Sequence, residues 1–359
     1  MSPGIEFNRR LGDIPAYPSA SNYDFGGELV KLASNESPFG PPAAVVGAIQ
    51  GRLETLNRYP DPDKAALRKA LSDRTGVGAD HVTVGNGSCE ILLSAADALL
   101  EPGAELVYAW PSFSVYPMLA ASSGATEIKV PLDDAGNHDL DAMAREITAA
   151  TRLVLVCNPN NPTATALPLD QIAEFVAGVP DHVAVILDEA YVEFNLLQDP
   201  DESVELLSRH SNLVLLRTFS KIYGLCGLRV GYALGPERFR RAIDHVRQPF
   251  SVNALAQVAA TEALRHQDEI ARRIESTVIE RVHMESELDA RGLEHSVSQA
   301  NFSWIGVGDR DEKAIVDGLA EQGVIVRAGA ALGEEGRLRV TYGTRPENDR
   351  FLAALDSLI

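Results

Sequence analysis

Short apolar runs rich in Val, Leu and Ile recur along much of the chain: HVTV (81–84), ELVYAW (105–110), TEIKVPL (126–132), RLVLVC (152–157), VAVILD (183–188), NLVLLR (212–217) and RVGYAL (229–234). Amphipathic helical stretches separate most of them. Strands that are apolar on both faces and spaced by helices predict a parallel sheet covered on both sides. Most of these runs end at a polar or Gly/Pro-rich cluster. Ligands of open α/β sheets bind beyond the carboxyl ends of the strands. That rule singles out GNGS (85–88), NPNNPT (158–163), DEAY (188–191) and TFSK (218–221).

The pattern changes after RQPFSVNA (247–254). Residues 267–292 read as one long helix, with Ile270, Ile274, Val278, Val282 and Leu288 near helical spacing. FSWIGV, VIVRA and RLRVTYG then read as short strands, accompanied by two further helices. The last helix opens with Pro346 and Glu347, as a helix start should. Residues 1–30 read as an extended polar arm. The expected division is an arm with part of the small domain over 1–35, a large domain over 36–249 and a small α+β domain over 250–359. No repeat of fixed period and no low-complexity tract interrupts this plan.

Composition narrows the function classes. The 359 residues are 45 % hydrophobic and 23 % charged, which suits a folded chain with a sizeable core. The net charge of −19 disfavours nucleic acid or an anionic membrane as partner. A small anionic substrate then requires Arg or Lys residues to converge locally. No stretch approaches the ~20 apolar residues of a membrane span. The opening MSPGIEFNRRLGDIP has no apolar run after its charges, so a secretory signal is not expected. Cys89, Cys157 and Cys226 are odd in number and lack CxxC spacing. They argue against a disulfide framework or zinc site and suit a reducing cytoplasm. The eight histidines lack HExxH spacing, so no catalytic metal is expected.

The strand-end clusters hold the candidate chemistry. Lys221 stands in an apolar, Gly-rich neighbourhood. It reads either as a surface residue or as a Schiff-base lysine, whose pKa desolvation and a nearby cation such as Arg229 would lower. Asp188 closes an apolar strand, where a carboxylate is costly without a partner. It reads as a structural cap or ion pair, or as the partner of a pyridinium nitrogen. Tyr191 could reach the same ligand. Lys221 lies 33 residues after Asp188, one strand–helix–strand step, so both can face one cleft. GNGSCE follows a strand and opens a helix whose N–H groups can cradle a phosphate. It lacks GxGxxG and GxxxxGK[ST], which disfavours a nucleotide. Phe113 is either core or a platform for a flat ring.

Taken together, ASNESPFGP (33–41), NRYPD (57–61), GNGSCE (85–90), PSFSVY (111–116), NPNNPT (158–163), DEAYVEF (188–194), RTFSKIYGLCGLRVGY (217–232) and LRVTYGT (338–344) strongly resemble the histidinol-phosphate aminotransferase family. The likeness runs through nearly the whole chain in the family's order. It implies the fold-type I architecture of enzymes that use pyridoxal 5'-phosphate (PLP). That is a large α/β domain with a mostly parallel seven-stranded sheet flanked by helices, plus a smaller α+β domain. It implies that Lys221 carries PLP covalently, Asp188 pairs with the ring nitrogen, and Tyr191 and Asn161 hydrogen-bond the phenolic oxygen. Phe113 would stack on the ring. Ser88, Cys89, Ser220 and Arg229 would hold the phosphate, completed by Tyr59 from a neighbouring subunit of a homodimer. Arg339 would bind the substrate carboxylate, with Tyr17 and Arg327 at its far end.

The implied reaction is histidinol-phosphate transamination with 2-oxoglutarate, in histidine biosynthesis. Aromatic amino acid transamination is the alternative. PLP-dependent decarboxylation of threonine phosphate and a non-catalytic PLP sensor rank lower. Two residues depart from the family pattern. Cys89 stands where an acidic residue is common, and Ala164 follows NPT where glycine is usual. Aromatic aminotransferases of the actinobacterial type also lack that glycine. Cys226 is read as packing.

Overall fold

The computed structural model describes residues 5–15 and 26–359. A two-residue strand, β1 (Val30–Lys31), precedes the main sheet. That sheet contains β2 (Val82–Gly85), β3 (Glu105–Trp110), β4 (Thr126–Pro131), β5 (Thr151–Cys157), β6 (Ala184–Asp188), β7 (Leu213–Thr218) and β8 (Gly231–Leu234). All seven apolar runs read from the sequence are therefore strands, in the order β2-β8-β7-β6-β5-β3-β4. β8 runs antiparallel to both neighbours, and the other pairings are parallel.

Strand alternation sends successive residues to opposite faces. Val154, Val156, Val185, Leu187, Leu213 and Leu215 enter one core. Leu153, Leu155, Ile186, Val214 and Leu216 enter the other. Helices Ala65–Thr75 and Leu169–Gly178 supply Leu67, Leu71, Ile172 and Val176 to the first. Helices Ser88–Leu99, Tyr116–Ser123 and Glu237–Val246 supply Ile91, Leu92, Leu119 and Ile243 to the second. The edge strand β4 departs from the expectation of two apolar faces, because Val130 is its one buried residue. Glu127 and Lys129 on this edge pair at 3.1 Å, and charge blunts an edge against strand addition.

A second sheet comprises β9 (Phe302–Gly306), β11 (Arg327–Ala328) and β12 (Arg337–Thr341), antiparallel in the order β11-β12-β9. Between them β10 (Val324–Ile325) pairs in parallel with β1, tying the start of the chain to this unit. Val30, Leu32, Ile305, Leu338 and Phe351 share its core. Helix Ala254–Ala263 packs instead in the large core beside Val45 and Leu67. Helix Gln267–Ala290 places Ile270 in the large core and Met284 and Leu288 in the small one. We propose that the domain division runs through this helix rather than directly after residue 249.

Two expectations need correction. The arm is not wholly extended, since Arg9–Gly12 form a 3-10 turn with Asn8 accepting the Arg10 N–H at 3.1 Å. The buried face of the long helix is Ile270, Arg273, Thr277, Arg281, Met284 and Leu288, while Val282 is 60 % exposed. Arginines win that face because it meets loop carbonyls that need donors. Arg273 donates to the Gly40 carbonyl at 2.7 Å, and Arg281 to the Ser298 carbonyl at 2.9 Å.

The Ala164 departure lies in the loop after β5. Its φ is 61°, its side chain is fully buried, and its carbonyl accepts the Gln299 N–H at 2.7 Å. The turn thus keeps the left-handed backbone that suits glycine, and alanine occupies it under strain of ~1–2 kcal/mol. Glycine would relieve the strain but lose a buried methyl worth ~0.8 kcal/mol and regain unfolded-chain entropy worth ~0.4–1 kcal/mol. Ala164→Gly is therefore expected to change stability by less than ~1 kcal/mol. Ala164→Val, β-branched and without room, should cost ~2 kcal/mol or more. Urea unfolding midpoints of the two variants check both values.

Candidate active site

A cavity of about 390 Å³ opens beyond the carboxyl ends of the central strands. Ser88, Cys89, Phe113, Asn161, Asp188, Tyr191, Ser220, Lys221, Arg229, Arg327 and Arg339 all line it. Parallel pairing explains the convergence of the two principal groups. Asp188 ends β6 opposite Leu216 of β7, and Lys221 lies three residues past the end of β7.

Asp188 is 3 % exposed. Its Oδ2 accepts from the Tyr116 hydroxyl at 2.9 Å, and its Oδ1 from the Ala190 N–H at 3.2 Å. Burial pushes its pKa up to about 6, against the pull of those two donors. Lys221 Nζ donates to the Ser34 carbonyl at 3.0 Å and lies 5.6 Å from the Tyr191 ring centre. Burial, then the Arg339 guanidinium, lowers its pKa to about 8. The cation acting on Lys221 is therefore Arg339, not the expected Arg229.

Arg229 is turned into a different corner. Its Nη1 donates to the Cys226 carbonyl at 3.0 Å and to Ser220 Oγ at 3.5 Å. A Cβ at Gly87, where φ is 76°, would stand 2.6 Å from Arg229 Nη2. Glycine is needed there to admit the guanidinium beside the N-terminus of helix Ser88–Leu99. A Cβ at Gly231 would likewise strike the Ser88 nitrogen at 2.5 Å. The helix start has no side-chain cap, and Glu90 folds back to accept the Asn86 N–H at 2.6 Å. Helix N–H groups, a serine hydroxyl and a guanidinium form a donor set for a phosphate monoester.

The far wall is tied together by polar side chains. Tyr191 Oη accepts from Asn35 Nδ2 at 2.9 Å and from Asn161 Nδ2 at 3.4 Å. Arg339 Nη1 donates to Asn161 Oδ1 at 2.6 Å, and Nη2 to the Ala33 carbonyl at 2.7 Å. Arg327 faces Arg339 directly across the β11–β12 pair. Like charges placed opposite each other favour an anionic ligand between them. Phe113 meets Tyr116 edge-on at 5.7 Å. A phosphate corner, a lysine amine and a buried carboxylate along one cavity fit a phosphorylated pyridine aldehyde.

Three placements remain. Tyr59 is 79 % exposed, stacks on Phe250 at 4.6 Å and does not line its own chain's cavity. Tyr17 lies outside the described residues. Cys226 is not confined to packing. Cys89, Cys157 and Cys226, the whole cysteine complement, line the cavity.

Two residues went unassigned by the sequence. Tyr116 offered only its place in PSFSVY, because a fully buried hydroxyl reveals its acceptor only in the fold. Asn35 has φ 53°, a conformation Asn tolerates better than most residues. Its N–H reaches Thr341 Oγ1 at 2.9 Å and its carbonyl accepts from Asn301 at 3.2 Å. Its place in ASNES was the available signal.

Comparisons with known proteins agree with this geometry. The family model for aminotransferase class I and II matches residues 27–355. An aromatic amino acid aminotransferase of Corynebacterium jeikeium is 44 % identical over 352 residues, covering 96 % of this chain and 92 % of that protein. Histidinol-phosphate aminotransferase 2 of Ralstonia nicotianae is 44 % identical over 333 residues, covering 92 % and 89 %. The solved histidinol-phosphate aminotransferase of Sinorhizobium meliloti, in complex with pyridoxal-5'-phosphate, superposes with a TM-score of 0.88 at 26 % identity over 100 % of both chains. With lysine, carboxylate and anion-binding corner converging on the expected sheet edge, the chain belongs to the class I and II aminotransferase family.

Proposed function

We propose that the protein is a PLP-dependent aminotransferase that moves an amino group from an aromatic amino acid to 2-oxoglutarate. The observation that supports the chemistry is the convergence of Lys221, Asp188 and the Arg229–Ser220 corner on one cavity. Bound PLP supplies an electrophilic carbon and a ring that withdraws electrons from the bond to be broken. The chain's own groups do the rest. Ser88, Cys89, Ser220 and Arg229 anchor the phosphate. Asp188 holds a proton on the ring nitrogen, and Tyr116 keeps its carboxylate oriented. Tyr191 and Asn161 hold the phenolic oxygen. Lys221 Nζ would hold the cofactor and, as a free amine, would take the α-proton as general base.

Arg339 would grip the α-carboxylate of donor and acceptor. Arg327, its cross-strand partner, would grip the distal carboxylate of 2-oxoglutarate. The exposed Tyr59 is assigned to the phosphate corner of a second copy, which makes the working unit a homodimer. The aromatic preference draws on relatives with that named activity. Histidinol phosphate is the second reading. It is favoured by the equally similar Ralstonia relative and by the Arg327–Arg339 pair, which would also take a phosphate.

Initial rates with phenylalanine, tyrosine, histidinol phosphate and unphosphorylated histidinol test the substrate. Phenylalanine or tyrosine should exceed histidinol phosphate in kcat/KM by ~10-fold or more, and the reverse order assigns the second reading. Lys221→Ala should abolish steady-state turnover and the visible absorbance of covalently held cofactor. Retention of both would place the attachment elsewhere. The free amine is the active base, so the single-turnover rate of α-proton removal should rise with pH through about 8 and level off above it. A flat profile between about pH 6 and 10 would assign the base to another group.

A further inference from the structure

Lys64 stands just before helix Ala65–Thr75, yet it does not cap it. Asp61 does so, accepting the Ala65 N–H at 2.8 Å. The Lys64 backbone is left-handed at φ 51°, and the residue is 3 % exposed. Lysine is almost never this buried unless paired. Among the described residues no acceptor lies within hydrogen-bonding distance of its Nζ. Burial, then the Arg247 guanidinium, lowers its pKa to about 8.

The side chain lines a cavity of about 280 Å³ beside β2 that shares no wall residue with the active-site cavity. Lys64, Arg68, Arg240 and Arg247 supply its cations, and Asp63 and Asp244 its carboxylates. Backbone carbonyls pin the three guanidiniums. Arg68 Nε donates to Ala79 at 3.0 Å, Arg240 Nε to Asp80 at 2.9 Å, and Arg247 Nη1 to Val84 at 2.6 Å. Asp244 serves both Arg240 and Arg247, and Arg68 has Asp80. Asp244 is thus committed to arginines, and the amine stands among fixed cations, with Asp244, Glu90 and Asp63 acting on it through space without a hydrogen bond. In a chain of net charge −19 such a concentration of positive charge is local. It costs desolvation and like-charge repulsion that an anion in the cavity would offset.

We propose that this cavity is a binding site for a small multivalent anion, a phosphate or a polycarboxylate, held by Lys64 and the surrounding arginines. Isothermal titration of the PLP-loaded enzyme with inorganic phosphate and, separately, citrate tests it, with chloride balancing ionic strength. Loading occupies the phosphate corner at Arg229, and comparison with Lys64→Met separates the second cavity from anion binding at Arg327 and Arg339. One Lys64-dependent site per chain is expected for at least one of the two anions, and which of them binds there assigns the class. Lys64→Met should weaken binding by ~10-fold or more, and Lys64→Arg should retain it. Both variants should transaminate at the wild-type rate. Equal binding by Lys64→Met, or no binding by the wild type, overturns the proposal. No wild-type binding together with a weakened dimer in Lys64→Met would give the amine to a carboxylate of a second copy instead. That outcome also overturns the small-anion site.

Discussion

Parallel pairing is the constraint on which this molecule depends. Strands that run the same way all finish on the same edge, so each polar group at a strand end arrives in the same cleft. β5, β6 and β7 deliver the NPNNPT loop, Asp188 and the TFSK turn side by side. None of these groups would be stable at a strand centre, where neighbours on both faces are apolar. The sheet interior gives rigidity and its edge gives chemistry. The buried Arg217–Glu189 pair, at 2.8 Å, joins the end of β7 to the residue after β6 and fixes that edge further. Removing one partner of such a pair costs ~3–5 kcal/mol.

Electrostatics inside the cavity reverse those of the whole. An acidic chain gathers Lys221, Arg229, Arg327 and Arg339 around one space. Three of these cations are steered by neutral acceptors: the Ser34 carbonyl for Lys221, the Cys226 carbonyl for Arg229, and Asn161 with the Ala33 carbonyl for Arg339. Carbonyls orient a cation without cancelling its charge, so the groups stay available to an anionic ligand. The Lys221 pKa is depressed there by burial first and by the neighbouring Arg339 guanidinium second.

The sequence was most informative where burial on both faces imposes a single solution. The interiors of RLVLVC and NLVLLR, LVLV and LVLL, leave no polar residue to face water, and they became the central strands β5 and β7. Lys221 and Asp188 stood out because a charge at the end of such a run is costly without a purpose. Elsewhere a decision depended on contacts distant in sequence. The inward face of the long helix carries Arg273 and Arg281 because loops from far along the chain bring carbonyls to it, which spacing alone does not encode. Tyr116 was hidden for the same reason, its acceptor lying 72 positions away. Arg339 and not Arg229 became the neighbour of Lys221 because a left-handed backbone at 229, with φ 58°, carries that side chain elsewhere.

The placement of the sulfur atoms has a practical meaning. Every thiol in the chain faces the same cavity, two of them half-buried and one buried, and no disulfide consumes any of them. A maleimide or mercurial added to the native protein can therefore label nowhere else. The unmodified enzyme carries its own reporter, whose labelling rate measures occupancy of the pocket without any engineered tag.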